Sequence, residues 1–119
     1  MNLIVYGTLR QGFGNHKYYL AGKQYKEDIL TGFKMYSLGA FPFVAPTGNS
    51  EDKVTVEIYD IDEETMRRTD VLEGYPSFYN RKLVHTASGQ EGWVYFQKTK
   101  GTEPIASGDW KQYRMSYIS

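Results

Sequence analysis

The chain has no cysteine and only two histidines among its 119 residues. Without thiols there is no disulfide framework, no thiolate nucleophile and no zinc–thiolate site. The histidines, His16 and His85, are far apart in sequence and lack the spacing of metal ligands. We therefore expect a protein that works without a metal, and no motif in the sequence predicts a cofactor.

Net charge is also missing, because 14 basic and 14 acidic residues cancel. A chain without net charge has no overall field to attract nucleic acid or an anionic membrane. No apolar run approaches the roughly 18 residues that a membrane span needs. The N-terminal apolar stretch is too short for a signal peptide and has no basic segment before it. The sequence predicts a cytoplasmic protein with neither a nucleic-acid nor a membrane partner, and it does not predict an oligomeric state.

Chain length and pattern predict a single domain over residues 1–119. Short strand patterns and few helices, without strand–helix–strand alternation, favour an α+β domain built on a small curved sheet or barrel. Residues 39–52 hold two prolines and two glycines and are predicted to be a loop. Asn15 is the expected cap of a short helix, and Asp109 that of a final helical turn. The predicted strands are 2–6, 24–30, 33–38, 53–61, 79–86 and 92–98, and the predicted helices are 16–20 and 63–73.

Glu73 is the first candidate for chemistry. Asp62 and Gly74 are typical of the two ends of a helix, so Glu73 is the last residue of helix 63–73. The carbonyl end of a helix disfavours an anion, and apolar and aromatic residues surround Glu73 in sequence. Both effects raise the pKa of a carboxyl group towards the range of a general base. The alternative is a solvated glutamate paired with Arg81 or Lys82.

The second candidate is the segment YGTLRQG, where the first strand meets a turn rich in glycine. Successive backbone N–H groups in such a turn can hold a carboxylate or a phosphate. The segment lacks the lysine of a P-loop, and its glycines do not follow the dinucleotide-binding spacing. An ordinary turn from strand to loop is the alternative.

Four segments occur in an order and spacing that resemble the γ-glutamylcyclotransferase-like superfamily, in the branch of γ-glutamylamine cyclotransferases and AIG2-like proteins. They are VYGTLR at 5–10, the loop with Leu38, Gly39 and Pro42, VEIYDI at 56–61, and DVLEGYPSFYNR at 70–81. SGDW at 107–110 is similar to the C-terminal signature of the small bacterial members. The resemblance covers nearly the whole chain and implies a small mixed β-barrel with flanking short helices and a pocket at the barrel mouth.

The resemblance also implies a reaction and the residues that perform it. The free α-amine of a γ-glutamyl group attacks its own side-chain carbonyl, which releases 5-oxoproline and an amine. Glu73 occupies the position of the catalytic glutamate, and the substrate partner is a small molecule with a free α-amino acid end. The G-T-L of the turn is similar to the γ-glutamylamine branch, which favours γ-glutamylamines over free γ-glutamyl dipeptides. The substrate-binding positions are Tyr6, Gly7, Thr8, Leu9 and Tyr79, and Arg10 is a further candidate for carboxylate binding, with an ion pair as its alternative.

Two other functions remain open at this point. In the first, the same pocket binds a small carboxylated metabolite and performs no chemistry, with Glu73 orienting an amine. In the second, a small barrel rich in aromatic residues stacks single-stranded nucleic acid. The zero net charge counts against the second.

Overall fold

The computed structural model describes residues 1–118. Seven strands and three helices follow one another in the order β1, α1, β2, β3, β4, β5, α2, β6, β7, α3. The strands are Asn2–Val5, Tyr25–Thr31, Phe33–Ser37, Pro42–Pro46, Lys53–Asp60, Asn80–His85 and Glu91–Phe96. The helices are Gly14–Tyr19, Glu63–Glu73 and Trp110–Ile118.

Five strands form the main sheet in the order β2-β5-β1-β7-β6, and β3 pairs with β4 in a separate ribbon. All pairings are antiparallel except that of β1 with β7. The expected barrel is wrong, because the main sheet does not close between its edge strands β2 and β6. A backbone hydrogen bond from Ala87 to Ile29 (2.8 Å) joins the β6–β7 turn to β2, but no ladder forms there. The α+β class with short flanking helices is confirmed.

Strand β1 lies in the middle of the sheet and is buried on both faces, as its apolar run predicts. Leu3 and Val5 pack with Met66 of α2, whereas Ile4 packs into the opposite cluster with Trp110 at the start of α3. Helix α2 therefore flanks the sheet. Strand β1 ends at Val5, just before the turn that begins with Gly7, so its place in the sheet positions that turn next to α2.

Two local predictions are wrong. The predicted loop 39–52 contains β4, because Phe43, Val44 and Ala45 are buried while the prolines stand at the two ends of the strand, where prolines are tolerated. Helix α1 begins at Gly14 after Phe13, and Asn15 does not cap it. The Asn15 side chain instead donates a hydrogen bond to Thr8 Oγ1 (2.9 Å).

Candidate active site

A cavity of about 400 Å³ opens beside the C-terminal end of α2. Its walls come from the end of β1 and the turn after it, from the β3–β4 turn, and from the segment that follows α2. Six of the seven residues predicted for the site line it: Tyr6, Gly7, Thr8, Leu9, Glu73 and Tyr79. The structure thus brings together side chains that are up to 73 positions apart in the sequence.

Glu73 is the last residue of α2, as predicted, and the helix ends because Gly74 adopts the left-handed conformation (φ 65°). Its side chain is half-buried in the cavity. Burial raises the pKa of the Glu73 carboxyl group to about 7. No hydrogen bond or ion pair reaches this carboxyl group from the side chains of residues 1–116 or from the described backbone. It is therefore available to exchange a proton near neutral pH.

The alternative pairing of Glu73 with Arg81 or Lys82 is wrong. Arg81 Nε donates to Asp70 Oδ1 (2.9 Å), and its guanidinium lies over the ring of Trp93 (4.6 Å). Lys82 lies over the rings of Phe33 and Phe96 on another face of the molecule.

Three buried tyrosines, Tyr6, Tyr79 and Tyr95, line the cavity with Glu73. Burial raises the pKa of each phenol, so all three hydroxyls stay protonated. Tyr6 donates to the Tyr95 carbonyl (2.8 Å), and Tyr79 donates to the Pro42 carbonyl (2.7 Å). Tyr95 is not among the residues predicted for the site. The available signal was the continuous apolar and aromatic run at 93–96, which is typical of a strand buried on both faces.

The turn after β1 lines the cavity with Gly7, Thr8 and Leu9. The N–H of Arg10 donates to the Gly7 carbonyl (3.0 Å), and this hydrogen bond closes the turn. Thr8 Oγ1 accepts a hydrogen bond from the Asn15 side chain. The N–H groups of Thr8 and Leu9 have no acceptor among the described residues. An anionic group of a ligand is a suitable partner for such unpaired donors.

Arg10 is not part of the cavity, although it was a candidate for carboxylate binding. Its buried guanidinium donates to Glu57 Oε2 (3.1 Å) and to Asp109 Oδ1 (2.9 Å). Glu57 is fully buried and forms a second ion pair, in which Lys111 Nζ lies 3.2 Å from Glu57 Oε2. Burial raises the pKa of Glu57, but hydrogen bonds from Gln11 N–H, Tyr59, Arg10 and Lys111 together hold it below its usual value. This ionic cluster ties the turn after β1 to β5 and to α3.

Gly7 has a steric role that a substitution can test. An added Cβ at residue 7 would lie 2.8 Å from Pro42 Cγ and 2.9 Å from Pro42 Cδ. We expect Gly7→Ala to lower the free energy of unfolding by about 1–3 kcal/mol in urea denaturation, because β4 or the turn must shift. Gly14→Ala is the matched control, since nothing lies within 4 Å of its Cβ and its φ is not positive. Equal stability of both variants would contradict this role of Gly7.

The raised pKa of Glu73 also predicts an effect on stability. The unfolded chain loses this proton near pH 4.3, whereas the folded protein keeps it up to about pH 7. Above pH 7 the ionised carboxylate therefore costs the folded state roughly 3–4 kcal/mol, and this cost disappears as the pH falls towards 4. We expect Glu73→Gln to unfold at higher urea than the native chain at pH 8, with little difference at pH 4.

The control for this measurement is Glu51→Gln, which makes the same change at an exposed position between β4 and β5. Its effect on stability is expected to be small and similar at both pH values. A Glu73→Gln variant that is less stable than the native chain at pH 8 would show that the carboxylate is not desolvated in the folded protein.

Comparison with known proteins places the chain in a family. Residues 3–112 match the family described as gamma-glutamyl cyclotransferase, AIG2-like. A protein of Methanocaldococcus jannaschii that is provisionally named a gamma-glutamylcyclotransferase is 36% identical over 118 residues, covering 94% of this chain and 97% of its own. The chain belongs to the γ-glutamylcyclotransferase, AIG2-like family of enzymes.

A second relative and a solved structure agree with this assignment. The gamma-L-glutamyl-butirosin B gamma-glutamyl cyclotransferase of Niallia circulans is 32% identical over 134 residues, covering 99% of this chain and 80% of its own. The crystal structure of protein PH0828 from Pyrococcus horikoshii superposes with a TM-score of 0.82 at 30% identity, covering 99% of this chain and 96% of that one. In residues 1–118, no helix has the length and apolar character that crossing a membrane requires.

Proposed function

We propose that this protein catalyses metal-free intramolecular cyclotransfer on a γ-glutamylamine or γ-glutamyl peptide, releasing 5-oxoproline and a free amine. The observation that carries the proposal is the unpartnered Glu73 carboxyl group, with a pKa of about 7, in a cavity that also holds the turn Gly7–Leu9. The name of the Niallia circulans relative, which specifies γ-L-glutamyl-butirosin B, supports a substrate with a γ-glutamyl group.

The first step is removal of a proton. The α-amine of the substrate is mostly an ammonium ion at pH 7 and cannot attack a carbonyl in that form. The ionised Glu73 carboxylate takes a proton from it, and burial makes this carboxylate basic enough to do so. The amine nitrogen then has a free electron pair for attack on the γ-carbonyl carbon of the same molecule.

The second step forms the ring and releases the amine. A bond forms between the α-nitrogen and the γ-carbon, and the bond from that carbon to the leaving nitrogen breaks. Protonated Glu73 gives its proton to the leaving nitrogen. The α-nitrogen loses a second proton as it becomes the lactam N–H, and the restored Glu73 carboxylate passes this proton to the released amine, which leaves as an ammonium ion. No water and no second reactant enters the reaction, so the protein mainly has to hold the substrate bent with amine and carbonyl in contact.

The turn after β1 is assigned two tasks in this mechanism. Its unpaired N–H groups at Thr8 and Leu9 hold the α-carboxylate of the substrate. The developing negative charge on the γ-carbonyl oxygen also needs a donor. Tyr79 is less suited to that role, because its one hydroxyl proton is already donated to the Pro42 carbonyl. We therefore assign the oxygen to the N–H of Gly7, which also has no acceptor among the described residues.

A panel of γ-glutamyl dipeptides and γ-glutamylamines tests the proposal. The native protein is incubated with each compound, and 5-oxoproline is measured by mass spectrometry. Formation of 5-oxoproline with an equal amount of free amine is the expected result. Binding of a panel compound with no product would instead indicate a binding module that uses the same cavity.

A further inference from the structure

The lining of the cavity is divided between polar and apolar surface. Thr8, Asn15 and Glu73 supply its polar side chains apart from the tyrosines, and all three are half-buried. Only three lining residues are exposed, and each is apolar: Ala40, Phe41 and Phe78. Because the exposed members of a lining form its opening to solvent, the mouth of this cavity is apolar.

The two phenylalanines at the mouth are held in place relative to Glu73. Their ring centroids are 6.1 Å apart in an edge-to-face arrangement, although Phe78 remains 49% exposed and Phe41 36% exposed. The N–H of Phe78 donates to the carbonyl of Gly74 (2.7 Å), the residue after Glu73. The Phe78 ring also packs edge-on against Tyr79 (4.9 Å). Exposed aromatic rings fixed at a cavity mouth are a surface suited to an apolar ligand group.

The charges around the cavity disfavour a leaving amine that carries a carboxylate. Among the described residues of the lining, Glu73 alone ionises to a formal charge near pH 7. Arg114 reaches the Gly39 carbonyl (3.3 Å) and lies over the Trp110 ring, but it is not part of the lining. A carboxylate on the leaving amine would therefore enter a site whose charge has the same sign, without a lining cation to pair with it.

We propose that Phe41 and Phe78 form the subsite for the leaving amine, and that the preferred substrates are γ-glutamylamines whose amine carries an aromatic or aliphatic group and no carboxylate. This inference rests on the proposed cyclotransfer. With the α-carboxylate at the turn Gly7–Leu9 and the α-amine at Glu73, the substituent on the γ-amide extends to the mouth between the two rings.

Three synthetic compounds test the preference: γ-glutamyl-phenethylamide, γ-glutamyl-ethylamide and γ-glutamyl-phenylalanine. The first two differ by a phenyl ring, and the first and third differ by a carboxylate. We expect kcat/KM for 5-oxoproline formation to be about tenfold higher for the phenethylamide than for either of the others. An ethylamide or phenylalanine compound turned over as well as the phenethylamide would overturn the inference.

Substitutions at the two phenylalanines test whether they cause the preference for the phenethylamide. In Phe78→Ala and Phe41→Ala, the ratio of kcat/KM between phenethylamide and ethylamide is expected to fall towards 1, whatever the absolute rates. Val71→Ala is the matched control, since Val71 is on α2 near Glu73 but is 79% exposed and outside the lining. It is expected to keep the native ratio. An unchanged ratio in both phenylalanine variants would contradict the proposed subsite.

Calorimetric titration of the same compounds into the Glu73→Gln variant separates the subsite from the chemistry. A dissociation constant about tenfold lower for the phenethylamide than for the ethylamide supports the subsite. If the native protein forms no 5-oxoproline but this difference is found, the proposed function fails and the subsite stands. Equal dissociation constants for phenethylamide and ethylamide would overturn the subsite even if cyclotransfer is observed.

Discussion

Glu73→Gln is expected to lower kcat/KM for γ-glutamyl substrates by about 10²- to 10⁴-fold, the usual contribution of a positioned general base. Glutamine keeps the size of the side chain and removes the proton acceptor. Since the Glu73 carboxyl group has no partner among the described side chains, the substitution breaks no ion pair or hydrogen bond with them. The measurement is the rate of 5-oxoproline release by the native and variant proteins at pH 8.

The pH dependence of the native enzyme provides a second test of the same role. The base form of Glu73 is lost below its pKa, so kcat/KM is expected to rise with pH up to about 7 and then to level off. The residual kcat/KM of Glu73→Gln is expected not to show this rise with pH. A native profile that levels off near pH 4–5, or a limb near pH 7 that persists in the variant, would exclude Glu73 as the base.

The second large effect concerns stability. Glu57→Gln is expected to lower the free energy of unfolding by about 3 kcal/mol, because Arg10 loses a buried counter-ion and keeps only Asp109. For a domain of this size, the corresponding fall in Tm is roughly 10 °C. Thermal and urea unfolding at pH 7 measure the change.

Glu64 provides the matched control for Glu57. It also pairs with an arginine, Arg67, but both side chains are more than 60% exposed. Glu64→Gln is expected to cost less than about 1 kcal/mol, because solvent weakens exposed ion pairs. If the two substitutions were equally mild, the buried cluster would not hold the turn after β1 in place.

The parts of the fold that depend on neighbouring residues were predictable from sequence. Helix α2 has the predicted bounds because Asp62 and Gly74 act within one turn of its ends. Asp109 caps α3 in the predicted way, through N–H groups at Lys111 and Gln112, although the helix is longer than one turn. Sheet closure was not predictable in this way, since it depends on pairing between strands that are distant in the chain.

In the candidate site too, features set by neighbouring residues were predictable from sequence, and contacts between distant residues were not. The raised pKa of Glu73 agrees with the prediction, with burial as its cause. Of its apolar neighbours in sequence, Leu72, Phe78 and Tyr79 line the cavity, whereas Val71 is exposed. The alternative role of Arg10, an ion pair, is found in the structure, but its partner could not be predicted, because Glu57 lies on β5, 47 positions along the chain, and glutamates are usually exposed. Ion pairs with Arg10 and Lys111 offset the cost of burying the Glu57 charge.

Cyclotransfer in water enriched in ¹⁸O tests the central claim most directly. If the α-amine of the substrate attacks its own γ-carbonyl, no water oxygen enters the product, and 5-oxoproline is expected at its ordinary mass with one equivalent of amine. If water is the nucleophile, the product is glutamate that carries one ¹⁸O atom. Labelled glutamate formed directly from the substrate would contradict the intramolecular mechanism.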